Sequence, residues 1–428
     1  NYVIGVGEFD TVPDNVQLLE GDRVDPGDTY TLNISLSNRG TGSSLPNNNI
    51  NPNNFNPNYG AKSGIFSWNR GSGNTGEITI NTGNLIMHPG SEIAALASAN
   101  GTGRNINING VRTVEINDAR ISNITRGTGN SGSISINTEN LLISNLGLLN
   151  LSNFGQGNTG DININSINTN LSGGSQFNNS TYVRGNAGRI IIKAGDTVTF
   201  QDTGTAAYNL VAGPSAVGNS GGISIDSRVL LVTDGGQIST STYGDGSAGN
   251  IDVNVSDRIL ITGRNASGRG SNFLTRVRAR GRGTAGNINI STNALSVTNG
   301  ASINSQTQGI GNAGSININA AETFLDLGAI ATNVDSTAVG NGGSINFNSS
   351  SILLSNQSQI SANTSGRGDG GQIALAVVGP ISLNNSVITT SSEANGIGGS
   401  IQLQASSLTL DNKSSITSAT FANQGGEI

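Results

Sequence analysis

The sequence predicts an all-β fold, a right-handed parallel β-helix in which three short strands make each triangular coil of about 28 residues. We expect about 12 to 13 such coils, stacked into a rod. Three observations support this prediction. One phrase, Gly-x-Ile-x-Ile, recurs at a nearly constant interval, and each repeat contains three short apolar segments. Within these segments apolar and polar residues alternate with the period of a strand, and nowhere is a helical period sustained.

The repeat is defined by the first isoleucine of the recurring phrase. Successive copies are separated by 28, 28, 28, 28, 33, 28, 37, 28, 29, 28, 28 and 27 residues. Ten of these twelve intervals lie within one residue of 28, and the two long ones, which begin at Ile190 and Ile251, indicate loop insertions. The defining residues are Ile78, Ile106, Ile134, Ile162, Ile190, Ile223, Ile251, Ile288, Ile316, Ile345, Ile373, Ile401 and Ile428.

Each repeat holds three strand-like segments. The first is Ile-x-Ile, the second begins seven or eight residues later, as at Leu141 and Phe324, and the third usually lies fifteen residues after the first, as at Leu149. From Ile190 onward the spacings of seven and eight alternate, which indicates a super-repeat of two coils. Stacked coils pair equivalent strands in parallel about 4.8 Å apart, so the rod is roughly 60 Å long. The right hand is predicted because parallel crossovers are overwhelmingly right-handed.

The corners and the start of the chain have their own signals. Gly-Asn-Ala-Gly and its variants precede most first strands, as at 185–188 and 311–314. Gly and Asn tolerate the left-handed backbone of a sharp corner, and equivalent Asn side chains are predicted to hydrogen-bond along the rod. Residues 1–70 fit the period poorly. For this segment we predict an irregular start of the solenoid, with an incomplete coil and an Asn/Pro/Gly-rich insertion at 37–60. The repeats occupy 71–428, and we expect them to continue beyond the C-terminus.

Composition narrows the classes of protein and site. Charged residues make up 11% of the chain, far fewer than in an ordinary globular protein, while regularly spaced Ile, Leu and Val argue against a disordered chain. There is no Cys and a single His, so disulfides, thiolate metal sites and histidine-dependent nucleophiles are disfavoured. We therefore predict no catalytic residue, metal or cofactor. A net charge of −6 over 428 residues gives no nucleic-acid footprint.

One segment departs from the repeat background. Four arginines alternate with Val277, Ala279 and Gly281, and on a strand alternate residues share one face. Val277 and Ala279 are therefore predicted to point inward. The four guanidinium groups are predicted to line the outside as a basic stripe that contacts anionic polysaccharide, lipid head groups or an acidic partner. The alternative is a solvated face that prevents lateral strand association. The stripe and its neighbours in the same unit are Arg264, Arg269, Arg276, Arg278, Arg280 and Arg282.

Three phrases recur in order from about residue 65 to 428: Gly-Asn-Ala-Gly-x-Ile-x-Ile, then Leu-x-Val, then Gly-x-x-Ile-x-x-x-Thr. The stretches 235–255 and 286–300 are representative. Together the phrases resemble the repeat region of filamentous haemagglutinin-like exoproteins, especially the long cyanobacterial ones. The resemblance implies two-partner secretion through a dedicated outer-membrane partner, and display or release as a rigid fibre.

These observations favour an extracellular structural or adhesive segment of a large secreted surface protein, acting as a rod or fibre in adhesion, aggregation or coating, and not an enzyme. The expected partners are polysaccharides or other cell-surface components, with homo-assembly by end-to-end stacking of coils and no nucleic acid. The alternative is a polysaccharide hydrolase or lyase with its site in the loop insertions. A groove holding two carboxylates within about 5 to 10 Å would favour the enzyme.

Overall fold

The computed structural model describes residues 15–17, 33–36, 64–69, 72–98, 100–394 and 396–420. Within these ranges the chain forms strands and turns only, and none of its elements is a helix that could cross a membrane. The predicted insertion at 37–60 and the last predicted repeat start, Ile428, lie outside the described residues.

Thirty-one strands follow one another along the described chain. They are β1 (Asn15–Gln17), β2 (Asn33–Leu36), β3 (Gly64–Asn69), β4 (Glu77–Met87), β5 (Glu92–Ala97), β6 (Ile106–Asn117), β7 (Arg120–Thr125), β8 (Ile134–Ser144), β9 (Leu148–Asn153), β10 (Ile162–Ser166), β11 (Asn168–Leu171), β12 (Gln176–Thr181), β13 (Ile190–Ala194), β14 (Thr197–Gln201), β15 (Ala206–Val211), β16 (Ile223–Thr233), β17 (Gln237–Thr242), β18 (Ile251–Thr262), β19 (Asn272–Val277), β20 (Ile288–Thr298), β21 (Ser302–Thr307), β22 (Ile316–Asp326), β23 (Ala329–Val334), β24 (Ile345–Ser355), β25 (Gln359–Thr364), β26 (Ile373–Val377), β27 (Pro380–Asn384), β28 (Val387–Ser392), β29 (Ile401–Gln404), β30 (Ser407–Asp411) and β31 (Ser415–Thr420).

The strands form two parallel sheets that share one core. The larger sheet has 18 strands and contains the first and second segments of each repeat, and the smaller sheet has 13 strands and contains the third. Pairing joins equivalent residues of successive repeats, as in Ile134 with Ile162 and Leu149 with Phe177. Since each turn contributes one strand to the smaller sheet, the chain is a parallel β-solenoid of about 13 turns, and the predicted fold class is confirmed.

In one respect the coil differs from the prediction. The first and second segments run on as a single strand of 11 or 12 residues in most turns, as in β8. The inward positions change phase within that strand, from Ile134 and Ile136 to Leu141 and Ile143, so the chain bends while its pairing continues. Turns with an eight-residue spacing absorb the extra residue as a register shift, for example between Val255 and Arg258.

The predicted inward position of Phe324 is wrong. Its side chain faces outward and is 37% exposed, whereas Thr323 and Leu325 on either side are buried. Thr323 pairs with Leu295 and Leu325 with Val297, so this turn has the seven-residue spacing and the alternation of seven and eight is not strict. The prediction selected Phe324 because it is the larger apolar residue. The inward position is occupied instead by Thr323.

The core is a continuous apolar column, and the corners beside it are held by asparagine. A single cluster of buried residues extends from Ile65 to Ile401. At the corners, the Oδ1 of Asn158 accepts the backbone N–H of Asn186 at 2.8 Å, and the Oδ1 of Asn186 accepts that of Asn219 at 2.8 Å. The predicted hydrogen-bonding of equivalent asparagines along the rod is therefore confirmed.

Candidate functional site

The predicted arginine stripe is divided between a strand and a turn. β19 ends at Val277, in register with Thr242 and Thr307 of the neighbouring strands. Arg276 is therefore the only one of the four alternating arginines on this strand, and Ala279 and Arg280 form an exposed turn. The expectation that Ala279 points inward is wrong, because every strand of this sheet ends at this level where the chain bends toward the next Gly-rich corner.

Three of the six predicted arginines lie around two tyrosines on the outer face of the smaller sheet. Arg276 faces outward from β19, and Arg278 follows it with its Cζ 4.5 Å from the ring centroid of Tyr243. Tyr208 faces outward from β15, and its hydroxyl donates to Oε1 of Gln237 at 3.0 Å. Arg269 comes from the loop inserted before β19 and repels both Arg276 and Arg278. We call Tyr208, Tyr243, Arg269, Arg276 and Arg278 the arginine–tyrosine patch.

The charges of the patch are partly buried and lack a close counterion. Burial, together with the like charge of Arg278, lowers the pKa of Arg276 from 12.5 to about 10. Burial also lowers the pKa of Arg278 and raises that of Tyr208. Among the ion pairs of the described residues none involves Arg276 or Arg278. The Nε atoms of both are buried without a hydrogen-bond partner. Both groups remain protonated at neutral pH, and Asp335 attracts Arg276 without forming an ion pair, so the patch keeps a net positive charge.

An aromatic column continues along the same edge of the sheet. Tyr182 stacks on Phe154 with ring centroids 4.3 Å apart, and the Cζ of Arg126 lies 5.7 Å from the centroid of Phe154. Each of these residues, like Tyr243 and Arg278, directly follows a strand of the smaller sheet. Sequence reasoning missed the tyrosines, yet a signal was present, because Tyr243 and Arg278 each lie five residues after the third-segment residue of their repeats.

The remaining three predicted arginines lie elsewhere. Arg264 donates from its guanidinium to the carbonyl oxygen of Gly268 at 2.9 Å, within the inserted loop. Arg280 is exposed in the turn after β19. Arg282 lies on a row of isolated parallel bridges at the next corner, with its Nε 3.9 Å from Oδ1 of Asp245. Three of the six predicted arginines therefore belong to the patch, and the other three lie in a loop, a turn and a corner.

Two of the described insertions lack any carboxylate that could act in acid–base catalysis. The inserted loop at 263–271 contains no Asp or Glu, and neither does the extended corner at 212–217. Over the part of the chain that the structure describes, no three His, Asp or Glu side chains are grouped so that they could hold a metal ion. The enzyme alternative therefore gains no support from these two insertions.

The arginine–tyrosine patch is suited to binding anionic sugars. Guanidinium groups form paired hydrogen bonds with carboxylate or sulfate oxygens, and an aromatic ring beside them offers an apolar face to a sugar ring. Partial burial strengthens each contact because less water competes for it. In comparisons with protein-family models, curated proteins and solved structures, no match to this chain was found.

Proposed function

We propose that this chain is an extracellular structural and adhesive segment of a large secreted surface protein, and that it acts as a rigid rod. The unbroken stack supports this proposal, because 13 parallel strands of the smaller sheet follow one another around one continuous core. Twelve steps of about 4.8 Å make a rod of roughly 60 Å. Each turn contacts only its neighbours, so length and stiffness increase with the number of turns.

The route of export in this proposal comes from the resemblance to filamentous haemagglutinin-like exoproteins. Secretion would proceed through an outer-membrane partner, and the rod would then stand on the cell surface or join a fibre. The right hand of the coil is also part of this proposal. Immunogold electron microscopy of intact source cells tests the route of export: we expect label on surface stalks or released fibres, and label confined to the cell interior would contradict export.

Adhesion, in this proposal, uses the arginine–tyrosine patch to bind acidic polysaccharide. The observation that carries it is that Arg276 and Arg278, partly buried beside Tyr243, form no ion pair with any carboxylate of the described residues. Charged groups are rarely buried without a partner in monomers, so an anionic ligand is the natural counterion. Sulfated or uronic sugars supply both the anion and a ring face for the aromatic groups.

Heparin and polygalacturonate columns test the adhesive part. We expect the double variant Arg276→Ser/Arg278→Ser to elute at clearly lower salt than the parent chain, because two desolvated cation contacts are lost. The control is Arg280→Ser/Arg367→Ser, which removes the same charge from two exposed positions. Equal elution of the two double variants would show that only net charge matters and would reject the patch as a site.

A polysaccharide hydrolase is the second candidate, and one observation favours it. Asp226 and Asp252 line a common cavity on the larger sheet. They stand on neighbouring strands two residues out of register, since Asp252 pairs with Ser224, and such diagonal neighbours are about 7 to 8 Å apart. Carboxylates on two such neighbours can reach the separation of about 5 to 10 Å that glycoside hydrolysis requires. The test is the release of reducing ends from a glycan. Activity that is lost in Asp226→Asn or Asp252→Asn and retained in Asp161→Asn would establish a hydrolase in place of a rod without enzymatic activity.

A further inference from the structure

A long polar trough runs along the outer face of the larger sheet. One cavity of about 540 Å³ follows β16, β18, β20, β22 and β24. An adjoining cavity of about 720 Å³ follows β10, β13, β16 and β18, and both are lined by Asp226 and Asn254. The two cavities therefore form one trough across seven strands, which at about 4.8 Å per step is roughly 29 Å long. Only an extended polymer could fill a trough of this length.

The floor of the trough is a row of side-chain amides in fixed orientations. Asn289 donates its Nδ2–H to Oδ1 of Asp252 at 2.7 Å, Asn317 donates to Asn289 at 2.8 Å, and Asn346 donates to Asn317 at 2.8 Å. A second row runs beside it, in which Asn348 donates to Asn319 at 3.2 Å. Asn289 and Asn317 each use one N–H and one lone pair in this ladder, so each keeps a second donor and a second acceptor.

The charges at one end of the trough largely neutralise one another. Arg228 binds Asp196 at 2.6 Å and Asp257 at 2.9 Å, and Arg189 lies 3.8 Å from Asp252. Lys193 pairs in register with Asp226. The other end, beyond Asn254, is lined by uncharged side chains. An acidic polymer would meet Asp226 and Asp252 without a matching excess of cations, so this surface differs in kind from the arginine–tyrosine patch.

We propose that the trough binds one extended chain of uncharged polysaccharide, lying along the rod axis and hydrogen-bonded to the amide ladder. A sugar hydroxyl is both a donor and an acceptor, and Asn289 and Asn317 each offer one of each. The ladder holds the amides in place before the ligand arrives, which lowers the entropic cost of binding. This site is independent of the acidic-polysaccharide site and lies on the other sheet.

Titration calorimetry with cellohexaose, mannohexaose and xylohexaose tests the proposal. We expect the parent chain to bind at least one of these probes, with an affinity that added salt does not change. The variant Asn317→Ala/Asn319→Ala on β22 should bind at least tenfold more weakly, because two amide contacts are lost. The matched control is Asn107→Ala/Asn109→Ala on β6, where the same Ile-Asn-Ile-Asn sequence lies outside the trough. Its affinity should equal that of the parent chain.

A bulky variant keeps the test decisive if loss of ladder amides disturbs folding. Asn319→Trp adds an indole to the exposed row of the trough, and Asn109→Trp adds the same group outside it. We expect Asn319→Trp to abolish binding and Asn109→Trp to preserve it, with unchanged circular dichroism for both. Absence of binding to all three probes, equal binding by the trough and control variants, or loss of binding in Arg276→Ser/Arg278→Ser would each overturn the proposal.

Discussion

At the scale of single residues, the corner glycines are required by the close stacking of turns. Gly311 has φ of +138°, and a Cβ there would collide with the carbonyl oxygen of Gly283 in the preceding turn. We expect Gly311→Ala to lower the free energy of unfolding by about 3 kcal/mol, from backbone strain and steric overlap together. In Gly195→Ala the new Cβ meets only atoms 3.9 Å away, so the effect should be small. Urea denaturation of the two variants measures the difference, and similar destabilisation would contradict this account.

The corner asparagines act through their side-chain oxygen. Asn186 accepts a backbone N–H from the next turn, and Asp161 makes the same contact with the N–H of Arg189 at 2.7 Å. Asn186→Asp should therefore leave stability nearly unchanged at neutral pH, whereas Asn186→Ala should cost about 1 kcal/mol. Thermal melts of both variants measure this, and equal loss in both would show that the amide nitrogen matters as well.

Arg276 is expected to lower the stability of the folded chain. Its pKa in the folded chain, about 10, lies below the ordinary 12.5, so at neutral pH folding penalises the protonated form, and the penalty is relieved only as pH rises through about 10. We expect Arg276→Gln to raise the melting temperature at pH 7, while Arg280→Gln in the exposed turn leaves it unchanged. A lower melting temperature for Arg276→Gln would mean that its aliphatic stem contributes more than its charge costs.

At the scale of elements, an inward polar column attaches the smaller sheet to the glycine corners. The hydroxyl of Thr275 donates to the carbonyl oxygen of Gly286 at 2.6 Å, and that of Thr332 donates to Gly343 at 2.7 Å. Each bond joins a strand to a corner of its own turn. A hydroxyl group is thus buried at an inward position where the repeat pattern alone predicts an apolar side chain.

Two buried threonines on consecutive strands of one turn should respond differently to the same change. Thr332 and Thr323 are both buried, but the Oγ1 of Thr323 has no hydrogen-bond partner. We expect Thr332→Val to cost about 1 to 3 kcal/mol because the Gly343 carbonyl loses its donor. Thr323→Val should be neutral or stabilising, since it removes an unsatisfied polar atom. Chemical denaturation distinguishes the two, and destabilisation by Thr323→Val would refute the expected contrast.

At the scale of the whole molecule, the rod is a one-dimensional stack, so a complete turn should be removable. Deleting residues 106–133 removes 28 residues and brings together two turns that share the seven-residue spacing, at Ile78 and Ile134. We expect a folded rod about 5 Å shorter. Deleting only 106–119 puts the turns on either side of the cut half a turn out of step, so the contact between those two turns should be lost and the rod should melt in two separate parts. Small-angle scattering and circular dichroism measure both, and unfolding of the whole-turn deletion would contradict the additive stack.

Much of the fold could be predicted because pairing repeats the sequence period. Ile134 pairs with Ile162, 28 residues later, so the recurrence of isoleucine indicates which backbone groups bond and which side chains are buried. Phe324 shows where this reasoning failed: residue size suggested the inward position, and the register of the neighbouring turn decided otherwise. The prediction that Arg280 lies on a strand failed for a different reason, because alternation in the sequence does not indicate that β19 ends at Val277.

The sequence by itself determined the solenoid, its period and its apolar interior, since inward positions must match the equivalent positions of the next turn. Only the tertiary structure decided what the outside presents. Tyr208 and Arg278 are 70 residues apart in the chain and meet because three turns are stacked there. The amides of the trough likewise form a row only when their strands are adjacent. Outward side chains are free of the core's packing constraint, so the sequence period does not specify them.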